Sequence, residues 1–185
     1  MFDKSKDTTA GLAASSDSSC SPGKRVLVLG LGNILLKDEG IGVYVVEQLQ
    51  KNNLPSNVQV IDGGTAGIDI LLWVADAGKL VVVDAIKTGK KPGTIYKISL
   101  KAEEKEKLTW IFKQELSKVS LHQVGLLEAL SVVERLGRAP EEIVIIGVEP
   151  DHVDYGLQLT ELLKQKVPEV IKEILEEIED DIHGE

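Results

Sequence analysis

Four short segments of this 185-residue chain hold the side chains best able to do chemistry. The first is Gly30-Leu31-Gly32-Asn33, leading through Asp38-Glu39 into a helical period; the second is Asp62-Gly63-Gly64-Thr65. The third is Asp84, and the fourth is Ser120-Leu121-His122-Gln123, which opens another helical period. A carboxylate that ends an aliphatic strand sits at the rim of its sheet, half desolvated, facing the crevice where open α/β sheets bind ligands. His122 at a helix start meets the positive end of the dipole, which disfavours imidazolium and leaves a neutral ring with a lone pair to give. A neutral imidazole beside two carboxylates suits nickel, zinc or iron and not calcium. Three such ligands would leave coordination positions open for something a partner brings.

Each segment also has a plainer use. Asp38 could cap the helix that follows it, with Glu39 complementing the helix dipole. Asp62-Gly63-Gly64 could be a turn, with Thr65 as the next N-cap. Asp84 could head the loop that carries Lys90, Lys91, Pro92 and Gly93. Ser120 and Gln123 make a capping box, which leaves His122 as an exposed first-turn residue. What sets these segments apart is that all of them belong at the same end of one fold.

The elements that would position them are legible as runs. Val26 to Leu29, Leu80 to Val83 and Ile143 to Ile146 are apolar at consecutive positions, and Val58 to Ile61 repeats the idea with Gln59 within it, the habit of parallel strands covered on both faces. Thr94 to Ser99 alternates more and predicts an edge strand. Between them lie helical periods: Ile41, Val45, Val46 and Leu49; Ile68, Leu71, Leu72 and Ala75; Val124, Leu127, Ala129, Leu130 and Val133. The last helix carries Val167, Val170, Ile171, Ile174, Leu175 and Ile178, and Pro168 either lies in its first turn or kinks a longer helix that starts near Thr160. Residues 103–118 are charged and ambiguous. The alternation predicts a three-layer αβα fold around a twisted, mostly parallel five-stranded sheet.

Residues 1–23 are rich in Ser and Thr and read as a solvated tail containing the lone Cys20. Residues 24–180 make a single α/β domain, and 181–185 a short tail. The tail has no signal-peptide pattern, so the cytoplasm is the default compartment. One Cys excludes an internal disulfide or a multi-Cys zinc site. The net charge of −9 argues against nucleic acid as a partner, and no apolar run is long enough to span a membrane. Residues 161–185 hold nine acids against Lys164, Lys166 and Lys172, so most of that charge is local.

Several enzyme templates are missing: Gly-x-Ser-x-Gly, His-Glu-x-x-His, Asp-Thr-Gly and Gly-x-x-x-x-Gly-Lys. A dinucleotide site at Gly30-x-Gly32, serving an oxidoreductase, is the alternative left by motif. It is weak, because the third glycine of that fingerprint falls at Leu35 and the acid at Asp62 arrives late.

Taken together, Gly30-Leu31-Gly32-Asn33 with Asp38-Glu39-Gly40-Ile41-Gly42, Asp62-Gly63-Gly64-Thr65-Ala66-Gly67, Asp84-Ala85, Pro92-Gly93 and Ser120-Leu121-His122-Gln123-Val124-Gly125 resemble the hydrogenase maturation endopeptidases. The resemblance runs from about Val26 to Leu175. It implies a twisted, mainly parallel sheet flanked by helices. It also implies an endopeptidase that removes a short C-terminal peptide from the [NiFe]-hydrogenase large-subunit precursor once nickel is in place. The nickel-contacting residues that it implies are Glu39, Asp84 and His122. Nickel would come with the precursor, which would explain a peptidase that shows no nucleophile of its own. Asp62 is the candidate carboxylate for activating water, and Gly63, Gly64 and Thr65 are candidate substrate contacts. The alternative within the resemblance is a non-catalytic factor that senses nickel loading and leaves cleavage to another protein.

Overall fold

A computed structural model of the protein describes residues 25–101 and 121–183, with the side chains of residues 121–123 and 180–183 outside that description. The N-terminal segment with Cys20, the charged stretch 103–118 and the capping residue Ser120 also lie outside the described residues. The strands are β1 (Val26–Leu31), β2 (Val58–Gly64), β3 (Lys79–Ala85), β4 (Ile95–Lys101) and β5 (Glu142–Val148). The helices are α1 (Ile41–Leu49), the single turn α2 (Leu71–Val74), α3 (Leu121–Arg135) and α4 (Glu161–His183).

The sheet order is β2-β1-β3-β5-β4. β1 runs parallel to β2 and β3, and β3 to β5, while β4 pairs antiparallel with β5 at one edge. The expected runs are the four parallel strands, and the alternating segment is one edge. β2 is the other edge, and of its residues only Gly63 is buried, so the reading of Val58 to Ile61 as covered on both faces does not hold. Val and Leu alternate along β1, and the pleat sends them opposite ways. Val26 and Val28, with Val81, Val83, Val144 and Ile146, meet α1 and α4. Leu27, Leu29 and Leu31, with Leu80, Val82, Ile143 and Ile145, meet α2 and α3. Each such side chain contributes about 1.5–3 kcal/mol through burial, so two covered faces hold the sheet in the middle of three layers.

Two helix faces differ from the periodicity. In the second helical segment Ile70 and Val74 are buried, whereas Ile68 is exposed and Leu72 is 77% exposed. The segment is a 3-10 turn (Ile68–Ile70) followed by one α-turn, so a 3.6-residue period does not apply. On α3 the buried stripe is Leu126, Ala129, Leu130 and Val133, with Val124 outside it. α4 is the longer of the two helices that Pro168 allowed. It begins after Thr160, whose hydroxyl oxygen accepts the Leu163 N–H at 3.4 Å, and it carries Pro168 inside and continues to His183.

An ion-pair network ties α4 to the N-terminal ends of the strands. The Lys79 ammonium, nearly buried, lies 2.8 Å from Glu177 and also donates to the Glu177 carbonyl oxygen at 3.0 Å. Burial pushes the Glu177 carboxyl up, but Lys79 and Lys97 outweigh it and hold the group below its ordinary value. A lowered carboxylate stabilises the fold above its unfolded value and loses that contribution as pH falls through the folded one. Glu177→Gln is therefore expected to cost about 3 kcal/mol at pH 7, the low end for a buried pair, because Glu142 stays 3.6 Å from Lys79. Urea midpoints for wild type and variant should converge as pH falls through the lowered carboxyl value; a gap independent of pH would contradict the assignment.

Candidate active site

The C-terminal ends of β2, β1 and β3 lie side by side, and the chain folds back over them. Gly32 follows β1 with φ +134, and a Cβ there would fall 1.9 Å from the Glu39 carbonyl oxygen. Glu39 is thereby folded across the end of β1 within a 3-10 turn, Lys37–Gly40, that runs into α1. Three residues on, a Cβ at Gly42 would lie 2.2 Å from the Val83 carbonyl oxygen and 2.3 Å from that of Leu31. The first turn of α1 thus straddles β1 and β3 beside Asp84. Glu39 is half-buried and no hydrogen bond to its carboxylate is found among the described residues. Asp84 is 1% exposed and its Oδ1 accepts the Ala85 N–H at 2.8 Å.

α3 reaches the same end by close backbone contact: a Cβ at Gly125 would sit 2.6 Å from the Cα of Gly67, in the loop after β2. His122 is the second residue of α3 as described, three residues or about 4.5 Å of helix before that contact. Its side chain lies outside the described residues. Alternation from Val83, which faces α1 and α4, turns Asp84 toward the layer of α2 and α3 that carries His122. Among the described residues, no three His, Cys, Asp or Glu side chains gather as a metal-ligand set.

Asp62 stands on the other side of β1, opposite Gly30. It is exposed, and its Oδ1 accepts the Gly64 N–H at 2.9 Å. Gly63 is the extra residue of a β-bulge, since Gly30 pairs with Asp62 and Leu31 with Gly64. Its missing side chain makes room for Leu29 and Leu31, whose methyl groups would lie 2.8 and 2.9 Å from a Cβ. Thr65 is exposed and caps no helix; the following 3-10 turn starts after Gly67 without a side-chain cap.

Asp38 is not the cap of α1, which has no side-chain cap bond. The carboxylate is fully buried and holds a distant loop. Oδ2 accepts the N–H groups of Asp151 and His152 at 3.1 and 2.9 Å and the Thr160 hydroxyl at 3.0 Å, while Oδ1 accepts the Thr160 N–H at 2.7 Å. Asp38 therefore fixes the turn carrying Glu39 to the start of α4. A second buried carboxylate, Glu149, plays a similar part after β3. It accepts the N–H groups of Thr88 and Gly89 and the hydroxyls of Thr88 and Tyr96. Burial pushes Glu149 up, but these donors outweigh it and hold the carboxyl below its ordinary range. Neither role has a local sequence signal, because the partners lie tens of residues away.

Comparison with known proteins agrees with this architecture. The hydrogenase maturating endopeptidase HybD from Escherichia coli superposes with a TM-score of 0.76 at 34% identity, covering 84% of this chain and 93% of that one. The [NiFe] hydrogenase maturation protease HybD from Thermococcus kodakarensis does so at 0.66 and 31%, covering 83% and 98%. Both neighbours are named as a maturation endopeptidase or protease and share this fold at more than 30% identity, which places the chain in the endopeptidase class. In sequence, the chain is 38% identical over 153 residues to the Hydrogenase 2 maturation protease of Escherichia coli K12, covering 82% of this chain and 88% of the relative. Residues 43–177 match the family described as HycI, hydrogenase maturation protease. The chain belongs to the hydrogenase maturation protease family.

Proposed function

We propose that this protease removes the C-terminal extension of a [NiFe]-hydrogenase large-subunit precursor after nickel insertion. Glu39, Asp84 and His122 would complete the coordination shell of nickel held by the precursor. The observation that supports this reading best is the fold-back at the end of β1, which puts the Glu39 backbone over Gly32 and one helical turn from Gly42, itself lodged beside Asp84. α3 brings the backbone of His122 to the same end. Docking through the substrate's own ion would hold the scissile peptide still, which replaces much of the entropy cost of a bimolecular attack. The ion can then polarise the peptide carbonyl, or a carboxylate can activate water. Asp62 is exposed at the neighbouring strand end and is the proposed carboxylate. The substrate chain would run past Gly64 and Thr65, with Gly63 tucked beneath. A precursor without nickel lacks the feature being grasped and would be left whole.

Purified chain mixed with nickel-loaded or nickel-free precursor tests this, with the mass of the large subunit as readout. Loss of a C-terminal fragment from the loaded form alone is the expected result. A loaded large subunit that keeps its full mass would overturn the reading, and equal cleavage of both forms would remove nickel from it. Asp62→Asn is expected to slow processing by about 100-fold, within the range for a general base, with unchanged binding of the loaded precursor. Wild-type turnover by that variant would show that Asp62 serves only its turn.

A further inference from the structure

Among the described residues eight large apolar side chains are exposed, and half of them crowd onto two loops beside Glu39. Ile34 and Leu35 are 45% and 55% exposed on the loop after β1; Tyr155 and Leu157 are 90% and 65% exposed on the loop before α4. These loops do not hang free. Leu36 and Gly156 form a parallel β-bridge, the Gly156 N–H donates to the Leu35 carbonyl at 3.0 Å, and the Lys37 N–H donates to the Gly156 carbonyl at 3.0 Å. The Lys37 ammonium pairs with Asp154 at 2.9 Å, and the Tyr44 hydroxyl donates to the Leu157 carbonyl. Asp38 anchors the assembly from beneath. Isolated exposed apolar groups need no explanation, but a cluster held on fixed backbone marks an interaction surface.

We infer that this pair of stapled loops is a docking surface for the hydrogenase precursor, with Leu35, Tyr155 and Leu157 seated on an apolar patch next to the precursor's metal-bearing end. The inference rests on the reading that Glu39 faces the substrate's nickel. Glu39 belongs to the same loop, three residues after Leu36, so a partner whose ion reaches Glu39 must lie across this surface. A second copy of the chain fits poorly. Two-fold pairing through the patch would lay each copy's Glu39-bearing loop against the other and close Glu39 off from the ion it is proposed to reach. The surface and the ion then divide recognition between them. The apolar groups grip loaded and empty precursor alike, and the nickel contacts tell them apart.

The test uses full-length protein carrying Leu35→Ser, Tyr155→Ser and Leu157→Ser together. Readouts are Kd for loaded and empty precursor by calorimetry, and kcat and KM for processing. The variant is expected to raise both Kd values and KM by about tenfold or more, the scale of losing central apolar anchors, with kcat within about twofold. Glu39→Gln should do the reverse, binding empty precursor like wild type while processing none. A wild-type Kd for empty precursor in the triple variant would overturn the docking surface even if processing by the wild type is confirmed. So would failure of the wild type to bind empty precursor at all. If the wild type cleaves neither precursor, the proposed function fails, yet weaker binding by the triple variant would still establish the surface. A wild-type dimer that the triple variant turns into a monomer would overturn it in favour of self-association. If the triple variant melts lower than wild type, Leu35→Ser and Tyr155→Ser taken singly give the same readings.

Discussion

His122→Ala is expected to melt at the wild-type temperature and to leave nickel-loaded precursor at full length. The residue is at the described start of α3, where truncation to Ala removes a first-turn side chain and is no burden on helix propensity. Its expected contribution is chemical. An imidazole that completes an ion's shell supplies one of three protein contacts, and even groups that merely orient such ligands are worth about 10–100-fold. Loss of the ligand itself should slow processing by at least about 100-fold. Glu39→Gln repeats the experiment at nearly constant volume and removes one charge from a half-buried side chain with no partner among the described residues. Mass spectrometry of the large subunit over time, beside a melting curve of each variant, provides the check. A well-folded His122→Ala protein that processes normally would take His122 out of the mechanism, and the same result with Glu39→Gln would take out Glu39.

Asp38→Ala is expected to be the most damaging substitution to stability. Four donors converge on a carboxylate with no exposure to water, and removing it strands the backbone N–H groups of Asp151, His152 and Thr160. Hydrogen bonds to a charged acceptor are worth about 1.5–3 kcal/mol each, but the cavity admits partial relaxation, so a total near 4 kcal/mol is expected. For a chain of this length that lowers Tm by about 8–16 °C. Asp38→Asn keeps one oxygen acceptor and should cost about half as much. Activity should fall with stability even below the melting range. Asp38 positions the turn that carries Glu39, and a displacement of about 1 Å at a reacting group costs on the order of 100-fold. Thermal denaturation and processing at 20 °C check the two halves. An Asp38→Ala protein within 3 °C of wild type would show that the loop before α4 finds other acceptors.

The residues that were easy to read are those whose role is local. Val26-Leu27-Val28-Leu29 announces a strand covered on both sides because no polar side chain interrupts it, and the structure buries all four. The more alternating Ile95-Tyr96-Lys97-Ile98 announces an edge, and β4 is one. Leu72 misled because its spacing from Ile68 fits a helix, while the chain there makes a 3-10 turn before a single α-turn. Asp38 misled more deeply. Capping rules look a few residues ahead, and its partners are 113 to 122 residues away. Glu149 gave no signal for the same reason, since Thr88 is 61 residues before it. Glu39, Asp84 and His122 stood out from composition only as three polar residues at element ends. Their grouping came from the resemblance of whole segments, because sheet order decides which ends meet and no local rule states it.

The span between Asp38 and its partners has a consequence for biosynthesis. On the ribosome, the turn bearing Glu39 emerges long before Asp151, His152 and Thr160 exist to hold it. At about 5–20 residues per second, the interval is roughly 6–24 s. A polypeptide that has passed His122 but not reached Asp151 therefore carries all three candidate ligands without a fixed place for the first of them. A chain terminated before Thr160 is expected to lack a fixed turn for Glu39, whatever else of the sheet it has formed.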